Sequence, residues 1–325
     1  MSRLVKSTMA IAAAVAGSLV FSGAATAAPE LPCKTAKLIV PWGAGGGTSV
    51  IFGVFEKTIN AAGASPQVKV VTIPGQGGNK GAKEALGAKP DGCTLFAIHQ
   101  SAIVGYINGV VDFNYDAFDT VAHLTSTPEI IGASGKVPYN TLEEMLDAAK
   151  ANPGNIPTGV TMGATSHFLW LLLGDKTGTS YKYVPYQGGT AKRITGLLSG
   201  AIDLGGINLA AARTQTKDGQ LKAFAIAADE RNPLLPDVPT LKERGIDMTY
   251  ALNRGIVVPK GTSREIRDFW AGVFEKATQD KEFQDQMASK GTSLLYLGPD
   301  EYEAWFAETS DGLIGVAQKM GISKR

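Results

Sequence analysis

The chain has 325 residues, 44% hydrophobic and 19% charged, with 31 basic and 30 acidic side chains. Such a length supports a large core in two lobes rather than one. The net charge of +1 provides no basic surface for nucleic acid, and His99, His123 and His167 show no metal-ligand spacing.

In chain order, residues 1–27 read as a secretory signal peptide. Arg3 and Lys6 form a basic start, Met9–Phe21 an apolar run, and Ala25-Thr26-Ala27 a small-x-small cleavage site near Ala27. A membrane anchor is the alternative, but the apolar run falls short of the roughly 20 residues of a span. Removing these 27 residues leaves 298, with 29 basic against 30 acidic side chains. Cys33 and Cys93 are the only cysteines. In an exported chain an even pair suggests a disulfide, two separate thiols being the alternative.

Strand-like and helix-like segments then alternate. The strand Leu38–Val40 runs into Pro41-Trp42-Gly43-Ala44-Gly45-Gly46-Gly47-Thr48-Ser49, followed by a helix over Val50–Ala62. Val68–Ile73 is a strand, Gly78–Ala88 a helix, Thr94–Ile98 a strand, and a short helix is expected near Ile103. The two cysteines each precede a strand, and in a sheet of order 2-1-3 those strands are neighbours. Ile130–Ala133 reads as extended. Thr141–Ala151 is a helix, with Thr141 as cap, Glu143 and Glu144 in its first turn, and Asn152-Pro153-Gly154 as its stop. Further pairs follow at Thr158–Val160 with Ser166–Thr177 and at Tyr181–Val184 with Thr190–Ser199. Ile202–Ile207, Leu221–Ala227 and Gly255–Val258 are strands, and Ser263–Gln279, Lys281–Lys290 and Pro299–Met320 are helices. This βα alternation predicts open, mostly parallel sheets, which bind ligands beyond the carboxyl ends of their strands. The chain is expected to leave the first lobe near Thr125 and return near Ala228, giving lobe 1 as 28–125 and 228–325 and lobe 2 as 126–227.

The glycine turn at Gly43–Gly47 lets backbone amides approach a ligand, and a following helix adds its own unsatisfied donors. Such a site suits a carboxylate or a phosphate. Enzyme motifs fail by comparison. Thr48-Ser49 stands where a Walker loop needs lysine, the dinucleotide fingerprint breaks at Thr48, and no Gly-x-Ser-x-Gly elbow is present. Ser166 beside His167 reads as helix capping rather than catalysis. No cofactor is implied.

Seven segments carry a family resemblance in order along the chain. They are Leu38–Thr48, Pro74–Gly81, Lys89–Leu95, Ala149–Gly154, Val184–Gly189, Leu234–Thr240 and Val258–Thr262. Together they resemble the solute receptors of the tripartite tricarboxylate transporter system, the Bug/TctC family. The resemblance implies a type II-like, Venus-flytrap periplasmic binding protein in which each lobe is an open, mostly parallel sheet flanked by helices. It also implies capture of a di- or tricarboxylate or related organic acid, through backbone amides and waters more than arginine pairs. The partner is then a membrane permease or a sensor protein, and the receptor a monomer. The family often has an acidic residue at Ser49, a phenylalanine at Trp42, small hydroxyls at His99-Gln100, and a Gly-Asn-Gly-Thr-Ser-like loop where Met162–His167 stands.

The expected ligand contacts are Trp42, Gly45, Gly46, Gly47, Thr48, Ser49, Gln100, Ser101, Thr165, Ser166, Tyr186, Gln187 and Asn208. Each has a plainer reading as a turn, a cap or lobe packing. Trp42, Phe168 and Trp170 form either an aromatic cage, which favours an aromatic acid, or core. Arg193, Arg213 and Arg254 read as solvated or structural; one facing the cleft changes the ligand's expected charge. The competing classes are a sensory scavenger of a neutral or cationic solute and a secreted α/β hydrolase.

Overall fold

A computed structural model describes residues 29–186, 189–319, 321, 323 and 324. The export segment 1–27 and Gln187 lie outside the described residues. The first part of the chain forms β1 (Thr35–Val40), α1 (Gly47–Ala61), β2 (Gln67–Thr72), α2 (Asn79–Leu86), β3 (Thr94–Ile98), α3 (Ser101–Ile107) and β4 (Phe118–Pro128). The middle part forms β5 (Ile130–Ser134), α4 (Leu142–Ala151), β6 (Pro157–Val160), α5 (Thr165–Thr177), β7 (Lys182–Pro185), α6 (Thr190–Ser199), β8 (Leu204–Ile207), α7 (Leu209–Gln215) and β9 (Leu221–Ile226). The chain finishes with β10 (Ala251–Pro259), α8 (Arg264–Thr278), α9 (Lys281–Ser289), β11 (Ser293–Leu297) and α10 (Pro299–Lys319).

These strands make a six-stranded sheet of order β11-β4-β10-β3-β1-β2 and a five-stranded sheet of order β7-β6-β8-β5-β9. In the first, β1, β2, β3 and β4 point one way, and β10 and β11 run against them. In the second, only β5 runs against the rest. Shared direction places the loops after β1, β3, β6, β7 and β8 at the carboxyl ends of their strands, where open sheets bind ligands.

Local chemistry explains the elements. Thr141 Oγ1 accepts from Glu144 N at 3.1 Å, and Glu144 reaches back to accept from Asn140 N at 2.6 Å. This reciprocal cap starts α4. Leu142, Met145, Leu146 and Ala149 then recur at helical spacing and are buried. One apolar cluster packs α1, α8 and α9 against the first sheet through Phe52, Phe55, Trp270, Phe274 and Phe283. On the other face a second cluster runs without a break from Phe96 and Phe306 to Met145 and Trp170 in the second lobe. Phe168 and Trp170 are fully buried there, so of the two readings, cage or core, these two residues take the core one.

A single residue, Glu129, separates β4 of the first sheet from β5 of the second. The return passes from β9 to β10, and the two crossings are tied together. Glu129 N donates to Tyr250 O at 3.0 Å, Ala227 N to Glu129 O at 2.9 Å, and Tyr250 N to Ala227 O at 2.9 Å.

Cys33 and Cys93 are disulfide-bonded, their Cα atoms 6.0 Å apart and 60 residues apart in sequence. The pair stands in front of β1 and β3, which are neighbours as the sequence predicts. Cross-linking so long a loop restricts the unfolded chain by about 4 kcal/mol in the chain-entropy model. Cys33→Ser/Cys93→Ser is therefore expected to melt roughly 5–10 °C below the oxidised protein in calorimetry. An unchanged Tm would show that the bridge contributes nothing to stability.

Candidate functional site

The turn after β1 is built without side chains. Gly45 takes φ +78°, a left-handed conformation that favours glycine. Gly46 N donates to Gly43 O at 3.2 Å. The Ser49 hydroxyl lies within 3.0 Å of the carbonyls of Gly43 and Gly46 and closes the turn from behind. Gly46 is the N-cap of α1, and no side chain caps that helix. Its first amides are thus left for an outside acceptor, at the positive end of a 15-residue helix.

Beside this helix end lies Arg254 of β10, only 3% exposed. Its Nε donates to Thr48 Oγ1 at 3.0 Å, and its Nη1 donates to Thr127 Oγ1 at 2.7 Å and Leu252 O at 3.3 Å. Its Nη2 comes to 3.8 Å from the place a Cβ on Gly47 would take. Burial brings the guanidinium down to about 10, opposed by the charge of Glu129. Trp42 stacks on His99 with ring centroids 3.7 Å apart and planes 13° from parallel. Burial, with Arg254 second, holds the His99 imidazole well below its usual range, so the ring is neutral. Its Nδ1 accepts from Ser101 N at 3.2 Å, which leaves the proton on Nε2.

The structure places the remaining predicted residues as follows. Ser101 is buried at the start of α3. The Gln100 side chain lies along β10, Nε2 donating to Ala251 O at 2.8 Å and Oε1 accepting from Asn253 N at 3.2 Å. In the second lobe, Ser166 Oγ accepts from Thr161 N at 3.0 Å, and Thr161 Oγ1 donates to Tyr186 O at 2.9 Å. Thr165 O accepts from the Tyr250 hydroxyl at 2.9 Å, a link from α5 to the return crossing. The Tyr186 ring packs on α6 at Gly196. Asn208 Oδ1 accepts from Ala211 N at 2.9 Å and caps α7. The Ser166 hydroxyl and the His167 ring are bonded to different backbone amides, those of Thr161 and Gly163, so they do not form a nucleophile–base pair.

The structure decides between the two readings left open for the arginines. Arg213 is exposed, but Arg193 and Arg254 are each 3% exposed and not solvated. Both act on Glu129 of the crossing, whose carboxyl is raised by burial and lowered by Arg193 and then Arg254. A usable signal existed for Arg254. It is the one charged residue of the strand Ala251–Pro259, where a lone cation is out of place unless paired or functional.

A family model described as tripartite tricarboxylate transporter family receptor matches residues 60–322. A protein of Cupriavidus necator, described as the UPF0065 protein in the gbd 5' region, is 27% identical over 97% of this chain and 96% of its own. The structure of the periplasmic binding protein BugD superposes with a TM-score of 0.80 at 25% identity, covering 90% of this chain and 99% of that one. MatC from Rhodopseudomonas palustris, solved with bound malate, shares the fold with a TM-score of 0.78 at 24% identity, over 88% and 99% of the two chains. These are binding proteins rather than enzymes, and their two-lobed architecture is the one described above. The chain belongs to the tripartite tricarboxylate transporter receptor family.

Proposed function

We propose that the protein is exported, cleaved near Ala27, and captures a small organic carboxylate between its lobes for a membrane permease of the tripartite type. The observation that carries this reading is the uncapped start of α1 at Gly46–Gly47, with the buried Arg254 guanidinium beside it. A carboxylate there receives helix amides, the helix dipole and a fixed cation together. MatC, a neighbour in fold, holds malate, which supports the ligand class. Lobes of 28–125 with 228–325 and of 126–227 close about the paired crossings, and ligand favours the closed state by binding it better. Gly45, Gly46, Gly47 and Thr48 serve through their backbone, with Thr165 and Ser166 facing them from the second lobe.

The Trp42–His99 stack supports a second reading, an aromatic acid lying against that apolar face. One thermal-shift panel on the mature protein tests both. Aliphatic di- and tricarboxylates, acidic amino acids and aromatic acids are compared with their neutral amides. A true ligand at about 100 times its Kd adds roughly 2.7 kcal/mol, a clear rise in Tm. An amide that shifts Tm as much as its acid would overturn the carboxylate reading.

A further inference from the structure

Side chains alternate between faces along an extended strand. On one face of β10, Arg254 turns to Thr48 at the start of α1. Its neighbours Ala251 and Asn253 line a different space, a cavity of about 630 Å³ beside α10. Both crossings border it, through Ser126 and Pro128 on the way out and Ala227, Thr249 and Tyr250 on the return. Leu172 of α5 adds a wall from the second lobe, and Trp305, Leu313 and Val316 of α10 add one from the first. Small-molecule sites span roughly 300–1,000 Å³ and are mostly apolar with a few polar groups, as this one is.

The lining is close to uncharged. Asp229 is its one charged side chain, and that carboxylate bonds to Lys242 and is largely exposed to water. Behind the wall, the His123 ring packs on Trp305 with centroids 4.9 Å apart, its Nδ1 2.6 Å from Leu295 O. Burial lowers the pKa of His123, so the ring is neutral. The hydroxyls of Ser126, Thr249 and Thr309 take no hydrogen bond within the protein among the described residues. They face the cavity as neutral donors and acceptors.

α10 spans 21 residues and places Gly312 on this cavity. Glycine inside a helix is destabilising relative to alanine. No positive φ requires it at 312, and a Cβ there would meet nothing within 4 Å. Neither backbone nor packing therefore calls for glycine. Its effect is to leave the cavity open.

We propose that this cavity is a second ligand site, for a small uncharged aromatic amide or alcohol. The ring lies among Trp305, Leu172 and Leu313, where aromatic and aliphatic surface is available. The amide or hydroxyl meets Ser126, Asn253 and Thr309. A charged end is disfavoured because it would be desolvated with no free partner of opposite sign. The site is separate from the start of α1, and its occupation does not depend on the carboxylate-receptor reading.

The test is isothermal titration of the mature protein with benzamide, benzylamine and benzoate, which carry one ring and a neutral, cationic or anionic end. The wild type is compared with Gly312→Leu and Gly315→Leu. Gly315 lies on the same helix, has equally open space around its Cβ position and does not line the cavity. Benzamide is expected to bind the wild type about 10-fold or more tighter than benzylamine. It is expected to weaken about 10-fold or more in Gly312→Leu, whose side chain takes up the space, and to change less than about 2-fold in Gly315→Leu. Gly312→Leu should melt at or above the wild type, which separates a filled cavity from a damaged helix. Benzoate held at α1 keeps its affinity in Gly312→Leu. No binding of benzamide by the wild type, equal binding of benzylamine, or benzamide affinity untouched by Gly312→Leu would each overturn the proposal. If benzamide binds as expected and no carboxylate binds, the carboxylate reading falls and this site stands.

Discussion

Gly47→Asp is expected to lose carboxylate binding while raising the melting temperature of the ligand-free protein. Position 47 is the first residue of α1 and lies outside the positive-φ set, so an L side chain fits its backbone. A Cβ there meets only Arg254 Nη2, at 3.8 Å. The new carboxylate reaches both the guanidinium and the free amides of the first turn. An acid at a helix start adds roughly 0.3–1 kcal/mol, and up to about 2 kcal/mol in a partly buried geometry. The same group fills the place proposed for the ligand's carboxylate and repels it. A weakening of about 100-fold, equivalent to about 2.7 kcal/mol, is expected by titration calorimetry. The opposite signs make the result informative. Wild-type affinity would move the anion site away from α1, and a lower Tm with lost binding would indicate a damaged turn rather than an occupied one.

Trp270→Ala is expected to cost about 3–5 kcal/mol of stability, among the largest losses of any single truncation here. Trp270 is fully buried on α8. Its indole N–H donates to Gly92 O at 2.9 Å, directly before the disulfide at Cys93. The approach is close, since a Cβ on Gly92 would come within 2.6 Å of Ile266 on the same helix. The indole thus carries both a large apolar area and the one hydrogen bond found to that carbonyl among the described residues. Trp270→Phe restores much of the volume but leaves the carbonyl unpaired, at a cost of about 1–3 kcal/mol. Urea unfolding should rank the three proteins wild type, Phe, Ala. Equal midpoints for wild type and Ala would show that the corner is held by the disulfide alone.

Most of the fold was legible because its elements obey local rules. The strand Thr94–Ile98 and the helix Thr190–Ser199 coincide with their predicted bounds. The cap at Thr141 is made by the hydroxyl that the sequence nominates. Three elements escaped, β4, α7 and β11. β4 is long and internal to its sheet, and its buried Thr120, His123 and Thr125 read as polar in sequence. Their burial depends on β10 and β11, which arrive from far along the chain. α7 spans only seven residues, too few for a helical period to stand out. The glycine turn of the site was legible because glycine itself is the signal. The Arg193–Glu129–Arg254 cluster was not, because its members come from α6, the crossing and β10 and no sequence window contains them.

The crossing at Glu129 also behaves like a reading frame of length two. Along Thr127 and Glu129, alternate side chains reach Arg254 and the space over Gly206 beside Arg193. Ser126 and Pro128 point the other way and line a separate cavity of about 630 Å³ with Trp305 and Leu313 of α10. Only one residue, Glu129, joins β4 to β5, and side chains along extended backbone alternate between faces. Inserting or deleting a single residue there would hand the carboxylate to the rear cavity and turn the next apolar side chain toward the arginines. A change of two residues would preserve which face each side chain occupies. Among descendants of this chain, length variation at the crossing should therefore be absent or even-numbered.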